Sequence, residues 1–145
     1  MKLLFSILPI WLLAIGCANS EEKIAVPEPV KAKFASMYPK AENAKWEMED
    51  GNYEVTFNEE KIETSVIMSV DGNIVQTEKD IDVALLPQPI HDYVMTQLGG
   101  KKISSVAKIM NSTGVVSYEA EIGETDYLFD AMGQFTGKEE EKDKD

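Results

Sequence analysis

The chain has 145 residues and a formal charge of −12, and its fourteen basic residues are all lysines. Nucleic-acid binding needs a cationic footprint and favours arginine for its base and phosphate forks, so this composition excludes it. The same acidity repels anionic lipid heads and leaves membrane contact to a lipid anchor alone.

Lys2 supplies a minimal positive start, and the apolar run "LLFSILPIWLLAIG" follows it from Leu3 to Gly16, broken by Ser6 and Pro9. That is shorter than the ~20 residues a bilayer span needs, but it fits the hydrophobic region of a secretory signal. Ala14 and Gly16 then lead into Cys17, the lone cysteine of the chain. "AIGC" resembles a bacterial lipoprotein signal, cut before a cysteine that carries lipid, although Leu13 stands one place earlier than the usual leucine. Residues 1–16 are therefore read as signal peptide and Cys17 as the lipidation site. An exported lone cysteine otherwise leaves a free thiol or an intermolecular disulfide, and no internal disulfide is possible. Two or three acyl chains on Cys17 would anchor the chain firmly, since one gives only marginal binding. The acidic "NSEEK" after Cys17 resembles the surface-export signal of Bacteroidetes lipoproteins; the alternative is a solvated tether, residues 17–25. The expected location is the cell envelope, lipid-anchored, either facing the periplasm or exposed on the outer membrane.

Removing the signal leaves about 130 residues, enough for one domain or two small fused units. "VPEPVKAKFASMYP" begins at Val26 and "LPQPIHDYVMTQLG" at Leu86, sixty residues later. Both run apolar, Pro-x-Pro, apolar, then a helical pattern. Val30, Phe34, Met37 and Tyr38 recur at helix spacing in the first, and Ile90, Tyr93, Val94 and Leu98 in the second. Proline suits a helix entrance, where an N–H lacks an internal partner. Tyr38-Pro39 and Gly99-Gly100 predict the two stops.

Strands follow each helix. In "AKWEMEDGNYEVTFN", Ala44, Trp46 and Met48 alternate with charged residues. Asp50-Gly51 then predicts a two-residue turn, and Tyr53, Val55 and Phe57 alternate with Glu54, Thr56 and Asn58. "IETSVIMSVDGNIVQTE" predicts a second hairpin, with a type I′ turn at Asp71-Gly72. "KISSVAKIMNSTGVVSYEAEI" and "TDYLFDAMGQFTG" predict hairpins turning at Asn111 to Gly114 and near Ala131 to Gly133. The expected fold is α+β: two tandem units, residues 26–82 and 83–137, each one helix and about four antiparallel strands. Units of this size bury too little surface to stand alone comfortably. They are expected side by side, sharing a sheet or not, with both helices on one face. The charged stretch 138–145, "KEEEKDKD", has no apolar residue and is expected to be a mobile tail.

"VPEPVKAKFASMYPKAENAKWEMEDGNYEVTFN" together with "SVDGNI" resembles the PepSY-like, beta-lactamase-inhibitor-like envelope proteins of Bacteroidetes. The pattern falls on Val26, Pro27, Phe34, Tyr38, Pro39, Ala41, Trp46, Tyr53, Glu54 and Val55. Asp71 and Gly72 stand adjacent where the pattern separates them. The matched residues carry fold, not chemistry. The resemblance implies an open, concave sheet face through which inhibitor-like relatives bind an enzyme. Such interfaces prefer aromatic anchors, whereas this face is acidic and aromatic-poor.

His91 is the lone histidine, so no paired-histidine metal site is possible. It is expected to be exposed and non-catalytic. Asp71 and Asn73 are too few for a calcium loop, and Gly99-Gly100 lacks a phosphate-loop lysine. Glu54 and Glu119 hold equivalent places in the two halves, and Glu47, Glu49, Glu63 and Glu121 join them on polar faces. Paired carboxylates do catalysis when their environments separate their pKa values; a solvated sheet face is expected here instead. No enzyme activity, cofactor or metal is expected. The expected function is a non-enzymatic binding module for a protein, peptide or glycan partner, using Glu54, Thr56, Asn58, Glu119 and Glu121. The alternative is an inhibitor or regulator of a secreted hydrolase of peptidase or beta-lactamase type.

Overall fold

In the computed structural model, residues 24–140 are described; residues 1–23, which include the expected signal peptide and Cys17, and residues 141–145 lie outside them. Val30 and Phe34, one helical turn apart, are the buried stripe of α1 (Glu28–Met37), which starts on Pro27 and Pro29 and stops at Tyr38. Four strands follow: β1 (Glu42–Glu49), β2 (Asn52–Glu59), β3 (Ile62–Met68) and β4 (Ile74–Asp80). A short 3-10 turn (Val83–Leu85) leads into α2 (Gln88–Gln97), entered on Pro87 and Pro89, with Ile90 and Val94 as its buried stripe. Then come β5 (Ser105–Asn111), β6 (Val116–Glu121), β7 (Thr125–Asp130) and β8 (Phe135–Glu140).

The eight strands make one antiparallel sheet in sequence order. The union lies between β4 and β5, where Gln76 pairs with Asn111 and Asp80 with Ala107. Residues directly opposite in an antiparallel pair share a face, so register assigns each side chain. Tyr53, Val55 and Phe57 face the helices together with Val66, Met68, Val106, Tyr118, Ala120 and Phe129. Both helices therefore lie on one face. Val55 and Phe57 are 0% and 1% exposed, as the alternation predicts. Under α1, Phe34 meets Trp46 and Phe57 edge-on at 5.2 and 5.1 Å. Under α2, Tyr93 meets Phe129 edge-on at 5.4 Å and stacks on Phe135 at 4.8 Å. Such contacts add to what area burial alone gives.

Asp50 and Gly51 both take positive φ, 47° and 79°, as a type I′ turn requires. Asp71-Gly72 does not form the type I′ turn expected of it: Gly72 has φ 73°, but Asp71 is not among the positive-φ residues. The turn spans Ser69 to Asn73. The Ser69 N–H donates to the Asn73 carbonyl at 2.8 Å, and the Gly72 N–H donates to the Ser69 carbonyl at 2.7 Å. Asn111–Val115 and Asp130–Gln134 repeat this pattern with Gly114 and Gly133. In all three the first side chain also accepts from the N–H of the fifth residue.

β8 corrects a second expectation. Lys138 and Glu139 pair with Tyr127 and Asp126, so the sheet runs into the stretch expected to be a mobile tail. Ladder hydrogen bonds use the backbone and need no apolar side chain.

Phe57→Ala is expected to cost about 3–5 kcal/mol, as large-to-small core changes do, measured by urea unfolding. Gly133 and Gly123 both have positive φ, but a Cβ on Gly133 would stand 3.1 Å from Ile90 Cγ1, whereas none of the atoms near Gly123 lies within 4 Å. Alanine at either position takes a backbone cost of about 1–2 kcal/mol. Gly133→Ala should lose distinctly more than Gly123→Ala; equal losses would refute close packing of α2 on this turn.

Candidate functional site

Register collects the carboxylates on the face away from the helices. Three rows cross the sheet there. The first runs Glu54, Ile67, Gln76, Asn111; the second Ser65, Glu78, Ile109, Ser117, Asp130; the third Asp80, Ala107, Glu119, Leu128. Glu47 and Glu49 extend this face on β1, Glu63 on β3, Glu121 on β6, Asp126 on β7 and Glu139 on β8. Among the described strands, the lysine that register puts here is Lys45, on edge strand β1. Lys79 and Lys108 face the helix side.

Glu54, Thr56, Asn58, Glu119 and Glu121 do share this face, but it is not the solvated surface that alternation led one to expect. Glu119 is 5% exposed and Asp126 3%. Ile67, Gln76, Ala107 and Ile109 are buried too, while Glu54, Thr56, Asn58, Glu78 and Glu121 are half-buried. No described element covers this face, so its own side chains bury one another. On the opposite side, Lys79, Lys108 and Met110 of the central strands are exposed between the helices. Burial on an uncovered face with exposure behind it means that the sheet curls toward the carboxylates.

Desolvation decides the chemistry, because burial disfavours the charged form. It pushes Glu78 up to about 8, with Glu54, Asp80, Glu49 and Asp126 adding like-charge repulsion. It pushes Glu119 up to about 9, with Glu78 and Asp126 adding to it. Glu49 rises to about 7 by burial and by Glu54, Asp50 and Glu47. Burial raises Glu54 as well, opposed by the Ser65 hydroxyl, which donates a short hydrogen bond to Oε1. Asp80 is raised by burial and Glu63. Glu121 accepts from Ser105 Oγ at 2.6 Å. The Glu119 side chain accepts no hydrogen bond among the described residues.

A cleft of about 350 Å³ opens beside this floor, walled by Val75, Ile109, Val115 and Leu128 with Gln76 and Ser117 between them. Ile109 is directly opposite Glu78, and Leu128 directly opposite Glu119. Gln76 is 8% exposed, and its amide makes no hydrogen bond among the described residues. Among the described residues, no three carboxylate, histidine or cysteine groups stand where they could hold a metal ion. His91 lies on α2, on the other side of the sheet, and is half-buried rather than exposed. Sequence reasoning missed Glu78 and the cleft. The signal was present, since "TSV" and "QTE" put Ser65 and Glu78 on the same face as Glu54 once the β2–β3–β4 register is known.

No family model matches the chain, and no curated protein does. Solved structures do. A DUF2874 family protein of Bacteroides uniformis is 18% identical, with a TM-score of 0.66, covering 79% of this chain and 88% of its own. A Bacteroides eggerthii protein, described provisionally as periplasmic, is 17% identical at TM-score 0.68, covering 80% and 89%. A BLIP-like protein of Bacteroides fragilis is 17% identical at TM-score 0.63, covering 86% and 92%. The likeness is one of fold: an α+β, BLIP-like sheet of eight antiparallel strands with two helices.

The raised carboxyls make stability depend on pH in a definite sense. A carboxyl protonated in the folded chain and more acidic in the unfolded one favours folding below about pH 4.5, and this contribution is lost as pH rises through about 8 and 9. Glutamine mimics the protonated form. Glu119→Gln should match the parent near pH 5 and exceed it in stability by roughly 1–3 kcal/mol near pH 9. Urea unfolding at the two pH values checks this; a parallel pair of pH profiles would refute desolvation of Glu119.

Proposed function

We propose that this chain is a non-enzymatic, lipid-anchored envelope protein that holds a protein partner against its carboxylate face. The observation that carries the reading is the burial on the carboxylate face itself. This face buries apolar and ionisable side chains under no described element, and it has a side-chain-sized cleft beside them. An exposed concavity of this kind is where a partner gains most from excluding water. The fold likeness to BLIP-like and periplasmic-described Bacteroides proteins supports a binding module in the envelope. We also read the two halves as copies of one PepSY-like unit. The Pro-x-Pro entrances at Pro27 and Pro87 support this, as do Gly72 under α1 and Gly133 under α2.

The second reading, an inhibitor of a secreted hydrolase, is favoured by the BLIP-like likeness specifically. The acidic, aromatic-poor floor speaks for a partner different from one gripped by aromatic anchors. Dose-dependent inhibition of a beta-lactamase or peptidase panel would favour this second reading; none at micromolar protein would remove it.

The test of the first reading uses the full chain expressed in an envelope that contains its partner. Thr56→Lys and Ser117→Lys, on the carboxylate face, should release the captured protein. Leu85→Lys and Met95→Lys, on exposed positions of the helix side, should keep it. The reverse pattern would move the interface to the helices. Cys17→Ala should move the chain from the detergent phase to the aqueous phase; unchanged partitioning would refute the lipid anchor.

A further inference from the structure

The carboxylate floor and the cleft adjoin, and together they specify what kind of group fits. Glu78 on β4 and Glu119 on β6 are on neighbouring rows of the two strands that flank β5, with Ile109 and Ala107 between them. The lysine that register puts on this face, Lys45, is exposed on edge strand β1, far across the sheet from β6. Glu119 is nine-tenths buried and accepts no hydrogen bond among the described residues. Gln76 is equally buried, lines the cleft and leaves its amide unused. Buried polar groups without partners are costly, and here two of them, Glu119 and Gln76, lie on the same face, with Gln76 at the opening of the cleft. The described residues offer no metal-binding cluster, and the apolar walls beside the carboxylates suit a cation carried on an organic side chain. The cleft walls beside it, Ile109, Leu128, Val75 and Val115, are apolar, and Val115 is exposed at the rim.

Resting on the reading of this chain as a protein-binding module, the geometry points to one occupant: a loop of a partner protein presenting a lysine or arginine next to an apolar side chain. The cation seats between Glu78 and Glu119, the apolar neighbour fills the cleft against Ile109 and Leu128, and the Gln76 amide bonds the loop backbone. Charge complementarity selects the partner, because a loop carrying an acidic side chain would meet like charge in a desolvated site. The site is also proton-linked. Glu47, Glu49, Glu54, Glu63, Asp80, Glu121, Asp126, Asp130 and Glu139 face the same floor, and Lys45 stands at its β1 edge; both helices lie behind the sheet. A seated cation favours the ionised carboxylates, so binding releases protons and tightens as pH rises from 6 to 8.

The test is selection of a phage-displayed library of short disulfide-constrained loops on the mature lipidated chain in detergent. The control target is a Glu78→Gln, Glu119→Gln double variant, with folding verified by circular dichroism. The expected outcome is enrichment of loops with Lys or Arg beside Leu, Ile, Met or Phe. These should bind the double variant at least about tenfold more weakly, and Leu128→Ser should remove the preference for the apolar neighbour. Enriched loops that lack a basic residue, or basic loops that bind the double variant equally well, overturn this proposal. So does a failure to enrich any loop. In each case the Thr56→Lys and Ser117→Lys capture experiment reports separately whether the broader binding reading falls with it.

Discussion

Five cross-strand pairs between β4 and β5, from Gln76 with Asn111 to Asp80 with Ala107, are the interaction on which the rest of the structure depends. They fuse two small helix-plus-four-strand halves into one sheet. Each half has its own apolar cluster, one around Phe57 and one around Phe129, and neither alone is comfortably large. Because β4 and β5 pair in this register, both clusters stay on one face and both helices stand on the same side. The same register brings Glu78 of one half beside Ile109 and near Glu119 of the other. The carboxylate floor is therefore a product of the fusion, not of either half.

Packing and electrostatics pull against each other across this sheet. The helix face gains from aromatic and aliphatic burial, and that gain fixes the register, since a one-residue slip would turn every side chain over. The opposite face must then accept whatever alternation puts there. In this chain that means glutamates, and the inward curl partly withdraws them from water. Their carboxyls respond by holding protons near neutral pH. Part of the stability of the fold is thus given up on the face that we propose meets a partner. Functional sites are where such local conflicts are expected to persist.

Much of this was legible in the sequence, for reasons tied to particular residues. Pro27 and Pro87 mark the helix entrances, and Asp50-Gly51 marks a type I′ turn. Strict alternation through Tyr53, Val55 and Phe57 gives the face assignment. Alternation says which way a side chain points and nothing about whether the sheet curls, so Glu119 was expected in solvent and is buried. Glu78 acquires its role only through long-range register, which no local pattern encodes. The extension of β8 through Lys138 and Glu139 was hidden for a related reason: backbone pairing carries that strand while its side chains look like a tail. Gly72 was assigned to the wrong turn because Asp-Gly reads alike in two-residue loops and in the longer loops that end on a left-handed glycine.

The account rests on two carboxyls being desolvated on an uncovered sheet face, and their ionisation can be observed directly. Carbon-detected NMR titration of the glutamate side-chain carboxyls, with Glu78→Gln and Glu119→Gln assigning the two signals, measures it. Midpoints of about 8 for Glu78 and about 9 for Glu119 are the predicted result. Midpoints near the ordinary glutamate value, about 4.3, would mean that water reaches both groups freely, and the curled, partner-ready face would be contradicted.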